Sequence, residues 1–146
     1  MPAETKSCRS TCPIANALEI VGDKWTLVIL RDLMFRNLHE YKEFLESPEG
    51  IATNILSARL KFLTEDGIIS RIPHPTNGTK KLYYLTERGK TLMPLLIEMT
   101  IWGSDQISGA ETPPHVITAM RNNKEEFANQ TLESLAEWEA ENLRTL

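Results

Sequence analysis

The feature that most constrains the fold is a helical pattern that ends in glycine and passes at once into two short β patterns. Residues 52–65 carry apolar side chains at helical spacing, and Asp66-Gly67 follows. We expect the helix to end there, because glycine readily takes the left-handed conformation that ends a helix. Residues 68–72 and 81–85 have the β-branched and aromatic content of strands. The segment between them contains an Asn-Gly turn signal, so we expect a hairpin with a long, basic, proline-bearing tip.

Three shorter helical patterns precede this unit. The first is opened by Pro13 and ended by Gly22, the second is capped by Asp23, and the third runs from about residue 39 to residue 45. Proline suits the first helical position, where its missing N–H has no partner to lose, and aspartate accepts hydrogen bonds from the free N–H groups of a helix start.

After the hairpin, Thr86 caps one long helix, and a Thr-Pro-Pro break leads to an acidic amphipathic segment, residues 115–146. The expected fold class is mainly α with a small β-hairpin (α+β), in the layout of a winged helix-turn-helix followed by a long helix. We divide the chain into a flexible arm (1–11), a winged helix domain (12–109) and a C-terminal helical extension (110–146).

Charge is distributed unevenly along a chain whose net charge is only -4. Residues 51–90 hold seven basic and three acidic residues, net +4, whereas residues 1–50, 91–110 and 111–146 come to -2, -2 and -4. A DNA-binding face needs local positive charge to replace the counterions of the phosphates. The basic middle fits such a face, although uneven surface charge alone would give the same count.

The fourth helix separates on a helical wheel into an apolar and a polar side. Ile55, Leu56, Leu60, Phe62 and Leu63 fall on the first side, and Thr53, Asn54, Ser57 and Lys61 on the second. A helix fits the major groove of B-DNA, where an asparagine pairs with adenine and hydroxyls bond several bases. The polar side therefore predicts a DNA-reading surface, against the alternative of an ordinary solvated helix face.

The hairpin tip supplies further polar and basic side chains at the spacing of a DNA-binding wing. They are His74, Asn77, Lys80 and Lys81. We expect Lys80 to contact a phosphate or the minor groove, and the alternative is a solvated basic turn. Arg59 falls within the apolar stripe of the fourth helix, so we expect it to pair with a carboxylate such as Asp32 or Glu65.

Several short motifs, in register from about Cys12 to Gly103, resemble the HxlR-type regulators, a family close to the MarR-type winged-helix repressors. They are Cys12-Pro13, Gly22-Asp23-Lys24-Trp25 with residues 29–33, Ile51 with Leu56 and Arg59-Leu60, residues 65–69, Tyr83 with residues 85–89, and Trp102-Gly103. The resemblance implies a homodimer that binds a roughly palindromic site near a promoter through the fourth helix and the wing. It also implies a dimer interface of the first and post-hairpin helices, for which we select Ile14, Leu18, Leu92, Leu96, Met99 and Trp102.

Two positions depart from the family pattern. Glu40 stands before Tyr41 where the family usually has a basic residue, which puts one phosphate contact in doubt. Ala52 stands where the family favours serine at the start of the fourth helix, so we expect Thr53 to cap that helix or its end to fray.

Cys8 and Cys12 are the two cysteines. They are too few for a zinc site, and the three histidines lie far from them in sequence, so we expect neither a metal nor a cofactor. Cys12 precedes a predicted helix, whose dipole favours a thiolate. Because some members of the resembled family sense oxidants at this position, Cys12 is a redox-sensing candidate, with an inert residue as the alternative.

The extension carries one apolar stripe, which is formed by Leu132, Leu135, Ala136, Ala140, Leu143 and Leu146. Such a stripe needs a partner, either the chain's own domain or a second protomer. The sequence leaves both open.

A DNA-binding transcription regulator, acting as a homodimeric repressor on double-stranded DNA, is the function we expect, with either an oxidant or an unidentified small molecule as effector. The alternative is a winged-helix protein–protein interaction module. We expect no enzyme, because no nucleophile–base pair, carboxylate dyad or phosphate loop is visible. Without a signal peptide or membrane span in the sequence, we expect a cytoplasmic bacterial protein with no membrane partner.

Overall fold

The structure is a computed structural model that describes residues 10–143. Most of the predicted arm, Cys8 and the Leu146 end of the tail stripe lie outside the described residues. The elements are α1 Pro13–Val21, α2 Thr26–Phe35, α3 Tyr41–Leu45, α4 Thr53–Glu65, β1 Ile69–Pro73, β2 Lys81–Leu85, α5 Glu87–Lys90, α6 Met93–Gln106, α7 Pro114–Asn122 and α8 Lys124–Asn142. The predicted fold class, mainly helical with one antiparallel hairpin, is confirmed.

The core lies between α2, α4, the hairpin and α6. Leu30, Leu33, Leu56 and Leu63 are completely enclosed. Because these leucines recur on one face of each helix, the opposite face of α4 is left to solvent.

Asp23 caps the start of α2, as predicted. Its Oδ1 accepts hydrogen bonds from the backbone N–H groups of Trp25 and Thr26, each at 2.9 Å, and its Oδ2 accepts from the Thr26 hydroxyl. These bonds satisfy donors that a helix start leaves free, so the turn between α1 and α2 is fixed.

A buried carboxylate joins α2 to the turn before α4. Asp32 accepts from Arg31 Nη2 at 2.8 Å and from Ser47 Oγ at 2.5 Å. Arg31 also donates to both carboxylate oxygens of Glu49, at 2.7 and 2.8 Å. Those bonds favour the ionised acid and hold the pKa of Glu49 at about 2. The network positions the loop that delivers the chain into α4.

The hairpin pairs Ile69 with Leu85 and Pro73 with Lys81, so β1 begins and ends one residue later than the sequence pattern predicts. Gly67, with φ of +76°, ends α4 in the left-handed conformation that the sequence indicates. The Thr86 hydroxyl donates to the Gly67 carbonyl at 2.5 Å. Helix, glycine and hairpin are thereby linked at one point.

The chain after the hairpin forms two helices, where the sequence predicted one. Thr86 caps only the four-residue α5, accepting from Gly89 N–H at 3.1 Å. The chain then turns at Thr91 and Leu92, and Pro94 lies in the first turn of α6. A proline cannot sit deep in a continuous helix, which explains the division.

The extension also forms two helices and packs on its own protomer. Met120 of α7 and Leu135 of α8 are buried, and Leu132 packs against the same core. Asn123 separates the helices and caps α8 by accepting from Glu126 N–H at 3.0 Å. Leu132 and Leu135 of the predicted tail stripe thus pack on the chain's own domain, whereas Ala136 and Ala140 of that stripe are exposed.

Candidate nucleic-acid interface

The outer face of α4 is polar and exposed. Thr53, Asn54, Ser57 and Lys61 all lie on the surface, while Leu56 on the other side is buried in the core. The structure therefore brings these four predicted residues together on one convex face with hydroxyl, amide and ammonium groups.

Tyr41 of α3 braces the start of this helix. Its hydroxyl donates to the Thr53 carbonyl oxygen at 3.1 Å and hydrogen-bonds with Ser57 Oγ at 3.1 Å. Ala52 occupies the N-cap position without a side-chain acceptor, and Thr53 is already helical. The expectation that Thr53 caps α4 is thus wrong, because the tyrosine joins the helix start to α3 instead.

Asn77 organises the hairpin tip. Its side-chain oxygen accepts from Thr79 N–H at 3.2 Å and from the Thr79 hydroxyl at 2.7 Å, and its carbonyl accepts from Lys80 N–H at 3.0 Å. Asn77 is therefore the first residue of the turn, and Gly78 is not in the left-handed region. This turn projects the exposed Lys80 outward.

His74 differs from the other predicted tip residues. Its Nδ1 accepts from Thr76 N–H at 3.2 Å, and its Nε2 lies 3.5 Å from Glu40 Oε1. Glu40, which the sequence marks as an unusual acidic residue, therefore contacts the hairpin. Lys81 is half-buried at the end of the strand pair.

The same surface is bordered by two basic residues that the sequence prediction did not include, Arg71 and Lys42. Arg71 of β1 and Lys61 line a hollow of about 410 Å³ between α4 and the hairpin. Lys42 lies with Lys80 and Lys81 around a second hollow of about 340 Å³ between α3 and the tip. Strand alternation could have found Arg71, which is exposed beside buried Ile72. Glu40, before Tyr41, had put one phosphate contact in doubt. Lys42 places a cation on the other side of Tyr41, one position after it.

His39 supports the hairpin from below. Its Nδ1 lies 2.8 Å from the Tyr83 carbonyl oxygen, and Tyr83 N–H donates to the His39 carbonyl at 2.8 Å. The ring is buried and stacks on Trp138 of α8, with centroids 3.5 Å apart. Burial lowers the pKa of His39, against the opposing effects of the Tyr83 carbonyl and of two nearby glutamates. A lone histidine and a distant tryptophan gave no sequence signal for this contact.

Arg59 anchors α4 to the α1–α2 turn. It lies 3.4 Å from Asp23 Oδ2 and its guanidinium packs over the Phe62 ring at 5.2 Å. Neither Asp32 nor Glu65 is its partner, so that part of the expectation is wrong. Arg31 and Ser47 already engage Asp32, and the capping carboxylate lies within reach of Arg59.

A second exposed surface is apolar and lies on α1 and α6. Ile14 is 72% exposed, Met99 51% and Trp102 62%, and Leu18 and Leu95 are also open to solvent. We call these five residues the apolar face. Leu18, Leu95 and Met99 line one common hollow, and exposed apolar surface of this kind is typical of association sites.

Two of the residues selected for a dimer interface do not lie open on this face. Leu96 is only 5% exposed and belongs to the protomer's own core, and Leu92 is half-buried against that core. Leu92 precedes α6, which begins at Met93, and the register of this helix turns Leu95 outward in place of Leu96. The selection of Leu96 as an open interface residue is therefore corrected.

Residues 20–111 match the family described as HxlR-like helix-turn-helix. The chain belongs to this family. An uncharacterized HTH-type transcriptional regulator of Mycobacterium tuberculosis (strain ATCC 25618 / H37Rv) is 34% identical over 101 residues, which are 69% of this chain and 63% of that protein. The match thus spans less than two thirds of the mycobacterial relative. YdzF of Bacillus subtilis (strain 168), also an uncharacterized HTH-type transcriptional regulator, is 37% identical and covers 68% of this chain and 92% of the relative.

Solved structures show the same likeness. The redox regulator HypR in its oxidized form has a TM-score of 0.58 at 30% identity, covering 65% of this chain and 97% of its own. The reduced form of the transcriptional regulator YodB from Bacillus subtilis has a TM-score of 0.54 at 29% identity, covering 70% and 100%. The HxlR-like family is one of helix-turn-helix regulators and not of enzymes.

The HxlR-like chain presents Cys12 at the start of α1. The residue occupies the N-cap position and its thiol is free and exposed. Ile14 and Leu18 of the apolar face follow on the same helix. Between residues 10 and 143, no cluster of three metal-ligating side chains occurs, and no helix has the length and apolar character of a membrane span.

Proposed function

We propose that this HxlR-like protein is a sequence-specific DNA-binding transcription regulator. The observation that carries the proposal is the polar outer face of α4, flanked by cations from α3, α4 and the hairpin. Amide and hydroxyl groups on an exposed helix suit base edges, and cations beside it suit phosphates. The names of the relatives support the same function.

In the proposed complex, α4 enters the major groove with its N-terminal turn nearest the bases. Asn54 pairs with a base, Ser57 and Thr53 contact bases or phosphates, and Lys61 contacts a phosphate. The hairpin follows the backbone, with Lys80 at its tip. His74, Asn77 and Lys81 have smaller roles, because each is already engaged or half-buried within the hairpin.

We further propose that the regulator is a homodimer joined through the apolar face. Two copies of the face would cover Met99 and Trp102, which a protomer leaves in water. Symmetry then places two α4 helices on one side of a duplex, about 34 Å apart for successive major grooves. A palindromic operator follows, and occlusion of a promoter by the bound dimer makes the protein a repressor.

Selection of genomic DNA fragments with purified protein tests the proposal. We expect enrichment of fragments that share a palindromic sequence, and a gel shift on that sequence that weakens as salt rises. Random fragments serve as the control. Equal recovery of all fragments would contradict sequence-specific binding and favour the protein–protein interaction module.

A redox signal through Cys12 is the second proposal on this site. Its support is the free, exposed thiol at the start of α1, which also carries Ile14 and Leu18 of the apolar face, together with similarity to the redox regulator HypR. We expect diamide to release DNA from the wild type and not from Cys12→Ser. If mass spectrometry finds Cys12 unmodified at a dose that releases DNA, the proposal fails.

A further inference from the structure

The extension helices α7 and α8 form a partly open cavity with α2 and α6. The cavity holds about 570 Å³, and Phe35, Met120, Phe127 and Leu135 contribute apolar walls. We call it the α8 cavity. Because α7 and α8 lie beyond residues 20–111, the part of the chain that matches the family does not by itself build this space.

The charged residues that line the cavity are Arg31, Arg36 and Glu111, which carry one net positive charge. Arg31 donates to Asp32 and to both oxygens of Glu49. Arg36 makes no hydrogen bond among the described residues. It lies 3.6 Å from Asp32, and its side chain is 42% exposed. Its guanidinium therefore keeps open donors beside an aromatic wall, where Phe35 and Phe127 have ring centroids 6.1 Å apart.

We propose that the α8 cavity binds a small aromatic carboxylate, with its ring against Phe35 and Phe127 and its carboxylate on Arg36. Binding sites for small molecules are mostly apolar and contain a few polar groups that fix orientation. Arg36 is the lining cation whose side chain makes no hydrogen bond among the described residues, and a guanidinium pairs with a carboxylate through two parallel hydrogen bonds.

Occupancy also has a route to the hairpin, and this part rests on the proposed function. Asn37 lines the cavity in a left-handed conformation, with φ of +54°, and its Oδ1 lies 2.8 Å from His39 Nε2. The other ring nitrogen of His39 holds the Tyr83 carbonyl of β2. A carboxylate that moves Asn37 thus acts through one side chain on the strand that carries the tip, and we propose that it changes DNA affinity.

Calorimetric titration of the full chain, without DNA, tests the site. The probes are 1-naphthoate and the neutral 1-naphthalenemethanol. We expect the acid to bind at least about tenfold more tightly than the alcohol. That preference should be lost in Arg36→Gln, retained in Arg36→Lys, and unchanged in the matched control Lys124→Gln, which removes a positive charge outside the cavity. Ser134→Trp, which fills the cavity from an exposed position on α8, should abolish binding of both probes.

Equal affinity for acid and alcohol, or a preference that survives Arg36→Gln, would overturn the site. Binding that survives Ser134→Trp would do the same, because it would place the probe elsewhere, for example on the apolar face.

DNA titrations with and without 1-naphthoate test the coupling. We expect an affinity change of at least about threefold, and its loss in Asn37→Gly, which keeps the left-handed backbone and should still bind the acid. Unchanged DNA affinity with acid bound would overturn the coupling and not the site. Absence of DNA binding by the unliganded protein would instead overturn the proposed function, so the two failures are distinguishable.

Discussion

The protomer leaves two surfaces uncovered, and they differ in chemistry. The surface of α4 and the hairpin presents amide, hydroxyl and basic groups, with Asn54 and Lys80 exposed. The apolar face presents Ile14, Met99 and Trp102 to the same solvent. Exposure alone assigns no partner. The chemistry of the exposed groups indicates the kind of partner. A polar, cationic surface is well hydrated in the free protein and favours a polyanion, whose binding releases counterions. An apolar surface favours contact with a second apolar surface, because this contact removes both from water.

The two surfaces are also built differently. The apolar face comes from α1 and α6, each of which presents one side. The cationic surface is assembled from α3, α4 and both strands, held by Tyr41 above and His39 below. We therefore expect single substitutions to separate the roles of the two surfaces cleanly.

The largest effect should come from placing a charge on the apolar face. In Met99→Glu, dimer formation would bury a carboxylate without a partner, so we expect a monomer at micromolar concentration. Loss of the second half-site should then weaken operator binding by about 100-fold or more. Sedimentation velocity and gel shifts measure the two changes. Thr118→Glu adds the same charge on exposed α7 and should behave as wild type. A dimeric Met99→Glu would place the interface elsewhere.

A smaller, position-specific effect is expected from the other surface. Asn54→Ala removes the amide proposed to pair with a base and should lose about 1–3 kcal/mol of discrimination at one operator position. Repeating the DNA selection with this variant would reveal a relaxed preference at that position, while the dimer persists. Unchanged preference at every position would mean that α4 does not read the DNA through Asn54.

Lys80→Ala should weaken binding evenly across sequences. Because a phosphate contact releases about one counterion, the slope of log affinity against log salt should fall by about 1. Gel shifts at several salt concentrations measure it. Lys90→Ala is the comparison, since Lys90 pairs with Glu139 at 2.9 Å on α8 and not with the DNA surface. An unchanged salt slope for Lys80→Ala would remove the tip from the interface.

Local rules predicted the parts of the molecule that depend on neighbouring residues. The exposure of the polar side of α4, the left-handed Gly67 that ends this helix and the Asp23 cap follow from periodicity and helix-end chemistry, and the structure confirms these three features. Local rules could not decide whether the tail stripe packs on the chain's own domain or on a second protomer, because both choices bury the same leucines.

The errors occurred where tertiary contacts override local signals. Arg59 pairs with Asp23 because Asp32 already binds Arg31. A helical wheel cannot predict this choice, since it shows the residues of one helix and not the contacts between helices. Helix register after a proline decides whether Leu95 or Leu96 faces outward, and the sequence placed that helix too early. His39 and Trp138 meet across about a hundred residues, a pairing that periodicity cannot indicate.

The smallest expected effect concerns the support beneath the hairpin. Burial lowers the pKa of His39 below its ordinary 6.5, while the unfolded chain keeps the ordinary value. Below that pH the unfolded state therefore binds more protons than the folded state, and the free energy of unfolding decreases as pH falls toward the folded pKa. Well above pH 6.5, His39 is neutral in both the folded and the unfolded state, so it adds no pH dependence to the free energy of unfolding.

Urea unfolding at pH 7.5 and at pH 5.5 measures this change. His39→Gln should lower stability at both values, because Tyr83 loses a partner, but should show a smaller decrease between them than wild type. His115→Gln, at an exposed position, should keep the wild-type decrease. Dimer formation through the apolar face should not change in this pH range, since no histidine belongs to that face. If His39→Gln and the wild type lost equal stability on acidification, the titrating group would lie outside the hairpin support.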